Sequence, residues 1–276
     1  MSTNNGSANA DFDNRFLSGS ELYGDSLSQH EIDQWFEDEK EGYAELGYAD
    51  GLYAAEYKYH PFNEFLLYRH LPSGALGRAL GIGSAHGAEF LPISARLSSV
   101  TIVEPSETLR ADSVGGLGIE YAMPRSDGVL SFEDDSFELV TSLGVLHHIP
   151  NVSKVLGEIG RVVSPGGFLA LREPVQSMGD WRLPRPGLTR RERGIPPGIL
   201  DQFLDAAGFS IVSRTWCDFP TMGRLTKPSS RIGVRLDAML SRAFSSNFSY
   251  HSRTLRSRLR PRSLAIVARK RSVDRW

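Results

Sequence analysis

The chain has 276 residues, 40% of them hydrophobic and 23% charged, and a formal net charge of −2. That length can bury a full core as one large domain or one domain with additions, and a single cysteine, Cys217, excludes an internal disulfide and a cysteine-based metal centre. No apolar run approaches the roughly 18 residues of a membrane-spanning helix. The charge is uneven: from Trp181 onward there are 20 Lys and Arg against 6 Asp and Glu, and before it 11 against 27. The last third therefore either solvates surface helices or faces an anionic substrate or surface.

The opening MSTNNGSANADFDNRF is polar and has no apolar signal core, which predicts a disordered tail over 1–25 and a cytoplasmic location. Over 26–72, apolar and aromatic residues at Trp35, Phe36, Tyr43, Leu46, Tyr53, Phe62, Phe65 and Leu66 recur at helical spacing, and Pro61 suits the first turn of a second helix. This predicts an N-terminal helical cap, in which Tyr43, Tyr48, Tyr53, Tyr57 and Tyr59 either pack or form a lid. From 73 to 276 strands and helices alternate. ALGI, SVTIVE, FELVTSL, GGFLALRE, FSIVSRTW and SLAIVARK read as strands, and AEFLPISARL, NVSKVLGEIGRVV and PPGILDQFLDAAG as helices. The order predicts an α/β fold, a mainly parallel sheet with helices on both faces. Residues 218–261 carry no strand pattern and read as an insertion with its own helix, RIGVRLDAMLSRAF.

In RALGIGSAHGAEF, Arg78–Phe90, a short strand runs into Gly81-x-Gly83-x-x-x-Gly87 and a helix. A nucleotide at such a turn is held by backbone N–H groups that side chains would obstruct. Glu104, at the end of the next strand, can accept both hydroxyls of a ribose. At this point an NAD(P)-linked oxidoreductase and an S-adenosylmethionine enzyme both fit, and a tight turn could use the glycines without any ligand.

GVLSFEDDSFELVTSLGVLHHIPNVSKVLGEIGRVVSPGGFLALREP, Gly128–Pro174, closely resembles the central block of class I S-adenosylmethionine-dependent methyltransferases of the small-molecule and ubiquinone-biosynthesis group. The resemblance is carried by Ser136-Phe137-Glu138, Leu146-His147-His148-Ile149, Arg161-Val162-Val163, Pro165-Gly166-Gly167 and Glu173. It implies a Rossmann-like sheet of seven strands whose last, near Ala265–Ala268, runs antiparallel, with S-adenosylmethionine as the cofactor and no metal. It implies cofactor contacts from Gly81, Gly83, Ser84, Ala85, His86 and Gly87, from Glu104 and Pro105 at the ribose, from the turn at Ser126, Asp127 and Gly128 at the adenine, and from Leu143 and Gly144. The chain departs from the family where an acid is usual, at Gly81, and where a glycine is usual, at Ala85. His86 or a carboxylate from the N-terminal helices would have to replace the acid, and a non-catalytic scaffold stays open as an alternative.

The resemblance also implies a catalytic base from His147 or His148 with Glu173, since a near-neutral imidazole oriented by a carboxylate can take a hydroxyl proton; the alternative is that the two histidines cap the following helix. The arginine- and proline-rich stretch Arg172–Pro197 borders the acceptor pocket of this fold. Asp180, Trp181 and Arg182 could contact a sugar or ring, and Arg190 and Arg191 a phosphate or carboxylate; a basic surface loop or dimer contact is the alternative. The expected reaction is O-methylation of a hydroxylated, anionic small molecule or glycan intermediate. The region lacks the interleaved aromatics of a nucleic-acid platform, and HSRTLRSRLRPR suits anionic lipid heads or a phosphorylated acceptor.

Overall fold

The computed structural model describes residues 13–49, 57–181, 183–220, 230–252, 254 and 256–272; for residues 13, 40–49 and 256 it describes only the course of the backbone. Eight strands form one sheet in the order β3-β4-β2-β1-β5-β6-β8-β7. They are β1 Gly77–Ile82, β2 Leu97–Val103, β3 Ser113–Val114, β4 Leu117–Ala122, β5 Phe137–Leu143, β6 Val163–Pro174, β7 Phe209–Cys217 and β8 Ser263–Lys270. From β4 across to β6 the neighbours are parallel, while β8 runs antiparallel between β6 and β7. The expected seven strands are present. The eighth is the two-residue β3, a hairpin partner of β4 turned by Gly115 and Gly116. The sequence reading assigned no strand to β4 either: LGIEYA lies near the sheet's edge with a half-buried alternation, so its apolar signal is weak.

Helices α1 Gln29–Ala49, α2 His60–Leu66, α3 Val152–Val162, α4 Pro197–Ala206 and α5 Arg231–Ala243 flank the sheet. Helix α3 buries Val152, Val155, Leu156, Ile159 and Val162, a one-face spacing that docks it on the sheet. One core layer holds α3 and α4 against β5, β6 and β8; the other holds α2, Phe90, Ile93 and Val234 of α5 against the opposite face. The segment Ala88–Arg96, expected as an α-helix, is a 3-10 helix. Pro92 inside it lacks the N–H and its ring crowds the carbonyl four residues back, so the wider turn cannot form.

Residues 13–25 are not the free tail expected of them: Leu17 and Leu22 are buried, and Asp25 accepts the Ser153 amide at 2.8 Å. Residues 1–12 lie outside the described residues, as do Tyr53 and the side chains of Tyr43, Leu46 and Tyr48. The helix expected in the 218–261 insertion forms as α5, N-capped by the Ser230 hydroxyl, which accepts the Gly233 amide.

Candidate active site

Strand order reverses between β1 and β5, the point at which open α/β sheets form a ligand crevice at their carboxyl ends. Gly83, just past β1, has φ +61, and a Cβ there would sit 2.7 Å from Val145 Cγ1, so glycine alone fits both the backbone and the space. Ala85 holds a left-handed φ of +46, a cost of about 1–2 kcal/mol for a non-glycine residue. That conformation lets its N–H donate to Glu104 Oε2 at 3.2 Å, while Ser106 N–H donates to Oε1 at 3.0 Å. Both oxygens of Glu104 are thereby fixed in the crevice. Burial raises its pKa, with those two amides pulling the other way.

A cavity lies over this edge. Its walls include Ile82, Gly83, Glu104, Pro105, Ser126, Gly128, Gly144, His148 and Asn151, with Phe36 and Glu39 of α1 closing one side. Of the residues expected at a cofactor, Gly83, Glu104, Pro105, Ser126, Gly128 and Gly144 line it. Gly81, Ser84, Ala85, His86, Gly87 and Leu143 belong to the turn and strand ends behind that wall. Asp127 points instead to Arg125 at 2.6 Å, and this pairing, with the Val129 amide, holds its carboxyl down at about 2. Asn151 Nδ2 donates to Ser126 O at 3.3 Å, and its buried Oδ1 has no partner among the described residues.

Beside Gly81 lies a buried acid that the sequence reading did not name. A Cβ on Gly81 would collide with the Ser84 hydroxyl. That hydroxyl donates to Glu89 Oε1 at 2.7 Å, as does Thr141 Oγ1 at 2.7 Å. Glu89 in the 3-10 segment thus places a buried carboxyl behind the loop. Burial pushes its pKa up to about 7.

The Leu146–His148 turn is held from behind. Glu173, fully buried at the end of β6, accepts the amides of Val145 at 2.8 Å and Leu146 at 2.9 Å on Oε1, and its Oε2 lies 2.8 Å from His147 Nδ1. Burial raises the Glu173 pKa, but the His147 ring and these amides outweigh it and leave it below the ordinary range. His148 Nδ1 lies 2.6 Å from Glu39 Oε2, and the other Glu39 oxygen accepts the Arg191 amide at 3.0 Å. Burial lowers the pKa of His148, as does His147 beside it, whose ring centroid is 4.0 Å away. Glu39, Glu192 and Trp35 went unnamed as site residues: they come from distant parts of the chain, and no local spacing marks them. Trp35, fully buried, donates its indole N–H to His148 O at 2.7 Å.

Much of the arginine stretch is engaged by the protein itself. Arg191 pairs with Asp38 at 2.7 Å, and Arg190, largely exposed, lies 3.7 Å from the same carboxylate. Arg193, fully buried and stacked over Trp35, donates to the carbonyls of Tyr23, His147 and Pro150. Arg185 likewise donates to four loop carbonyls. Arg191 ties the loop to α1 through Asp38, while Arg185 and Arg193 supply donors to buried carbonyls without secondary-structure partners. Trp181 stacks on Tyr23 at 5.3 Å, Asp180 accepts the Leu183 amide on its carbonyl, and Arg182 lies outside the described residues.

Residues 80–171 match the methyltransferase domain family. The chain carries a class I S-adenosylmethionine-dependent methyltransferase domain. The domain is 32% identical over 94 residues to sterol 4-C-methyltransferase strm-1 of Caenorhabditis elegans, covering 32% of this chain and 28% of that protein. It is 25% identical over 160 residues to the ubiquinone biosynthesis O-methyltransferase of Rhizobium johnstonii, covering 51% and 63%. The chain thus spans less than two thirds of the length of either curated relative. Its fold is that of an S-adenosylmethionine dependent methyltransferase from Mesorhizobium loti, with a TM-score of 0.52, 20% identity, and coverage of 75% of this chain and 97% of that one. The methyltransferase match sets aside the nicotinamide reading that the glycines alone allowed. S-adenosylmethionine suits the residues present: the Gly83 cradle that a Cβ would fill, a fixed carboxylate for the ribose, and an unpartnered acceptor, Asn151 Oδ1, at the adenine end.

Proposed function

We propose that this protein transfers the methyl group of S-adenosylmethionine to a hydroxyl oxygen of a small-molecule or glycan acceptor. The observation that carries this reading is the single cavity joining Glu104 and the Ser126–Gly128 turn to His148 past Gly83 and Gly144. When bound, the cofactor supplies an electrophilic sulfonium methyl for in-line displacement. Glu104 would hold the ribose, Asn151 Oδ1 the adenine amino group, and the Gly83 turn the methionine end. The acceptor hydroxyl must lose its proton, and His148 at the cavity wall, oriented by Glu39, would offer a lone pair for that purpose in the metal-free protein. The relatives act, by their names, at oxygen in one case and carbon in the other; the paired imidazoles favour oxygen.

The test combines calorimetry with mass spectrometry. S-adenosylhomocysteine should bind, and Glu104→Ala should weaken it about 10- to 100-fold, the loss of hydrogen bonds to a charged group. A cell extract given cofactor with a trideuteromethyl group should yield a labelled metabolite, which a non-catalytic scaffold would not produce. Absence of homocysteine-compound binding overturns the reading.

We also propose an anionic membrane surface as the partner of the basic C-terminal third. Helix α5 turns Ile232, Leu236 and Met239 to solvent beside exposed Arg235 and Arg242, a cationic, apolar face of the kind that lies in a membrane interface.

A further inference from the structure

Among the described residues, His147, His148 and Glu192 form a cluster whose three ligand atoms lie within 4.8 Å of one another. His147 Nε2 is 3.7 Å and His148 Nε2 3.5 Å from the same oxygen, Glu192 Oε2. The opposite ring nitrogens settle the tautomers. Glu173 accepts two turn amides as well as facing His147 Nδ1. Glu39 accepts the Thr189 hydroxyl at 2.7 Å and the Arg191 amide at 3.0 Å as well as facing His148 Nδ1. A carboxylate held by so many donors is ionised, so each Nδ1 must donate to it. In the neutral rings both Nε2 atoms then carry lone pairs, and both aim at a third carboxylate. Three such atoms meeting within 4.8 Å are held together by a cation among them, a proton or a metal ion. The nearby guanidinium groups of Arg185 and Arg193 are committed to backbone carbonyls.

We propose that His147 Nε2, His148 Nε2 and Glu192 Oε2 bind a divalent cation of borderline softness, with Zn²⁺ the best match. Metal–ligand bonds of about 2.1 Å set tetrahedral ligand–ligand edges of about 3.4 Å, close to the two measured His–Glu separations. The carboxylates on the far nitrogens are the outer shell such histidines use to fix ring orientation and raise basicity. Two nitrogens and one oxygen favour zinc or a neighbouring first-row metal over magnesium or calcium. Three protein ligands leave a fourth position open, the arrangement of catalytic rather than structural zinc. His148 and Glu39 line the cofactor cavity, so the fourth ligand is drawn from that cavity; the acceptor hydroxyl is the candidate, and the cation, in place of the His148 lone pair, would make it acidic. The cation also ties the loop carrying Glu192 to the turn after β5.

The metal is read directly, with neither cofactor nor acceptor present, so its failure and the failure of methyl transfer are separable. Chelator-stripped protein is titrated with Zn²⁺ by calorimetry and with Co²⁺ by visible absorption. One Zn²⁺ per chain and a tetrahedral Co²⁺ spectrum are expected. Glu192→Gln should weaken Zn²⁺ at least about 100-fold, and Glu173→Gln and Glu39→Gln by about 10- to 100-fold each, as outer-shell losses do. Circular dichroism and a thermal melt of each variant show whether it folds, and His148→Gln gives an independent loss of one ligand. Stoichiometry near zero overturns the site. So does binding that Glu192→Gln and His148→Gln leave unchanged, which would assign it to other histidines.

Discussion

Glu89 enters the folded protein with its proton more firmly held than in the open chain. Its pKa rises from the ordinary 4.5 to about 7 because burial penalises the charged form. Between those values the folded state binds a proton that the unfolded state has released, so stability falls as pH rises, by up to about 1.4 kcal/mol per pH unit. Above the folded value the penalty is complete. Glu89→Gln removes it while keeping an acceptor for Ser84 and Thr141. The expected outcome is a melting temperature that falls less than that of the wild type between pH 5 and pH 8. Parallel melting curves for the two proteins across that range would show that Glu89 is not the buried acid described. The ionised carboxylates of Glu39 and Glu173 contrast with it: each is surrounded by donors, and burial alone does not decide its charge.

Helix α1 is the element that turns a sheet edge into a cavity. Trp35 anchors it, fully buried, bonded to His148 O and stacked under Arg193. Phe36 and Glu39 then reach the cavity wall, and Asp33 accepts the Ser126 hydroxyl at 2.6 Å beside the adenine turn. Trp35→Ala should cost about 3–5 kcal/mol of helix docking, the usual range for a buried tryptophan truncated to alanine. Hydrogen exchange should show residues 29–39 losing protection while β1 and β5 keep theirs. Equal loss in helix and sheet would mean that α1 is part of the global core and not a separately docked cap. The Arg172–Pro197 stretch packs against the same layer: Arg185 and Arg193 satisfy carbonyls, and Arg191 pairs with Asp38 of α1.

At the scale of the whole molecule, the two halves of opposite charge meet along α1 and the arginine loop, where Asp38 and Glu39 face Arg190 and Arg191. Exposed Arg235 and Arg242 of α5 stand beside Ile232, Leu236 and Met239. Sedimentation with phosphatidylglycerol vesicles should exceed that with phosphatidylcholine vesicles and fall with salt. Arg235→Ala with Arg242→Ala should weaken it by about 1 kcal/mol per arginine, roughly fivefold each. Equal binding to both vesicle types would remove the membrane from the account.

The sequence by itself determined the alternation of strands and helices and the place of Glu104 at the end of β2. Strand and helix periodicity, the Gly81–Gly87 turn, Glu104 at the end of β2 and the Leu146–His148 turn are short-range signals, because backbone conformation and face burial repeat every two or 3.6 residues. The tertiary structure alone decided what those residues face. Glu89 lies buried behind the Gly81 turn, bonded to the serine hydroxyl that fills the space beside that glycine. Glu39 and Glu192 meet His148 from segments far apart in the chain, a convergence that depends on how α1 and the arginine loop pack. Arg191 found Asp38 and Arg193 found backbone carbonyls for the same reason: burial decides which partner a charge finds, and burial is a property of the packed fold.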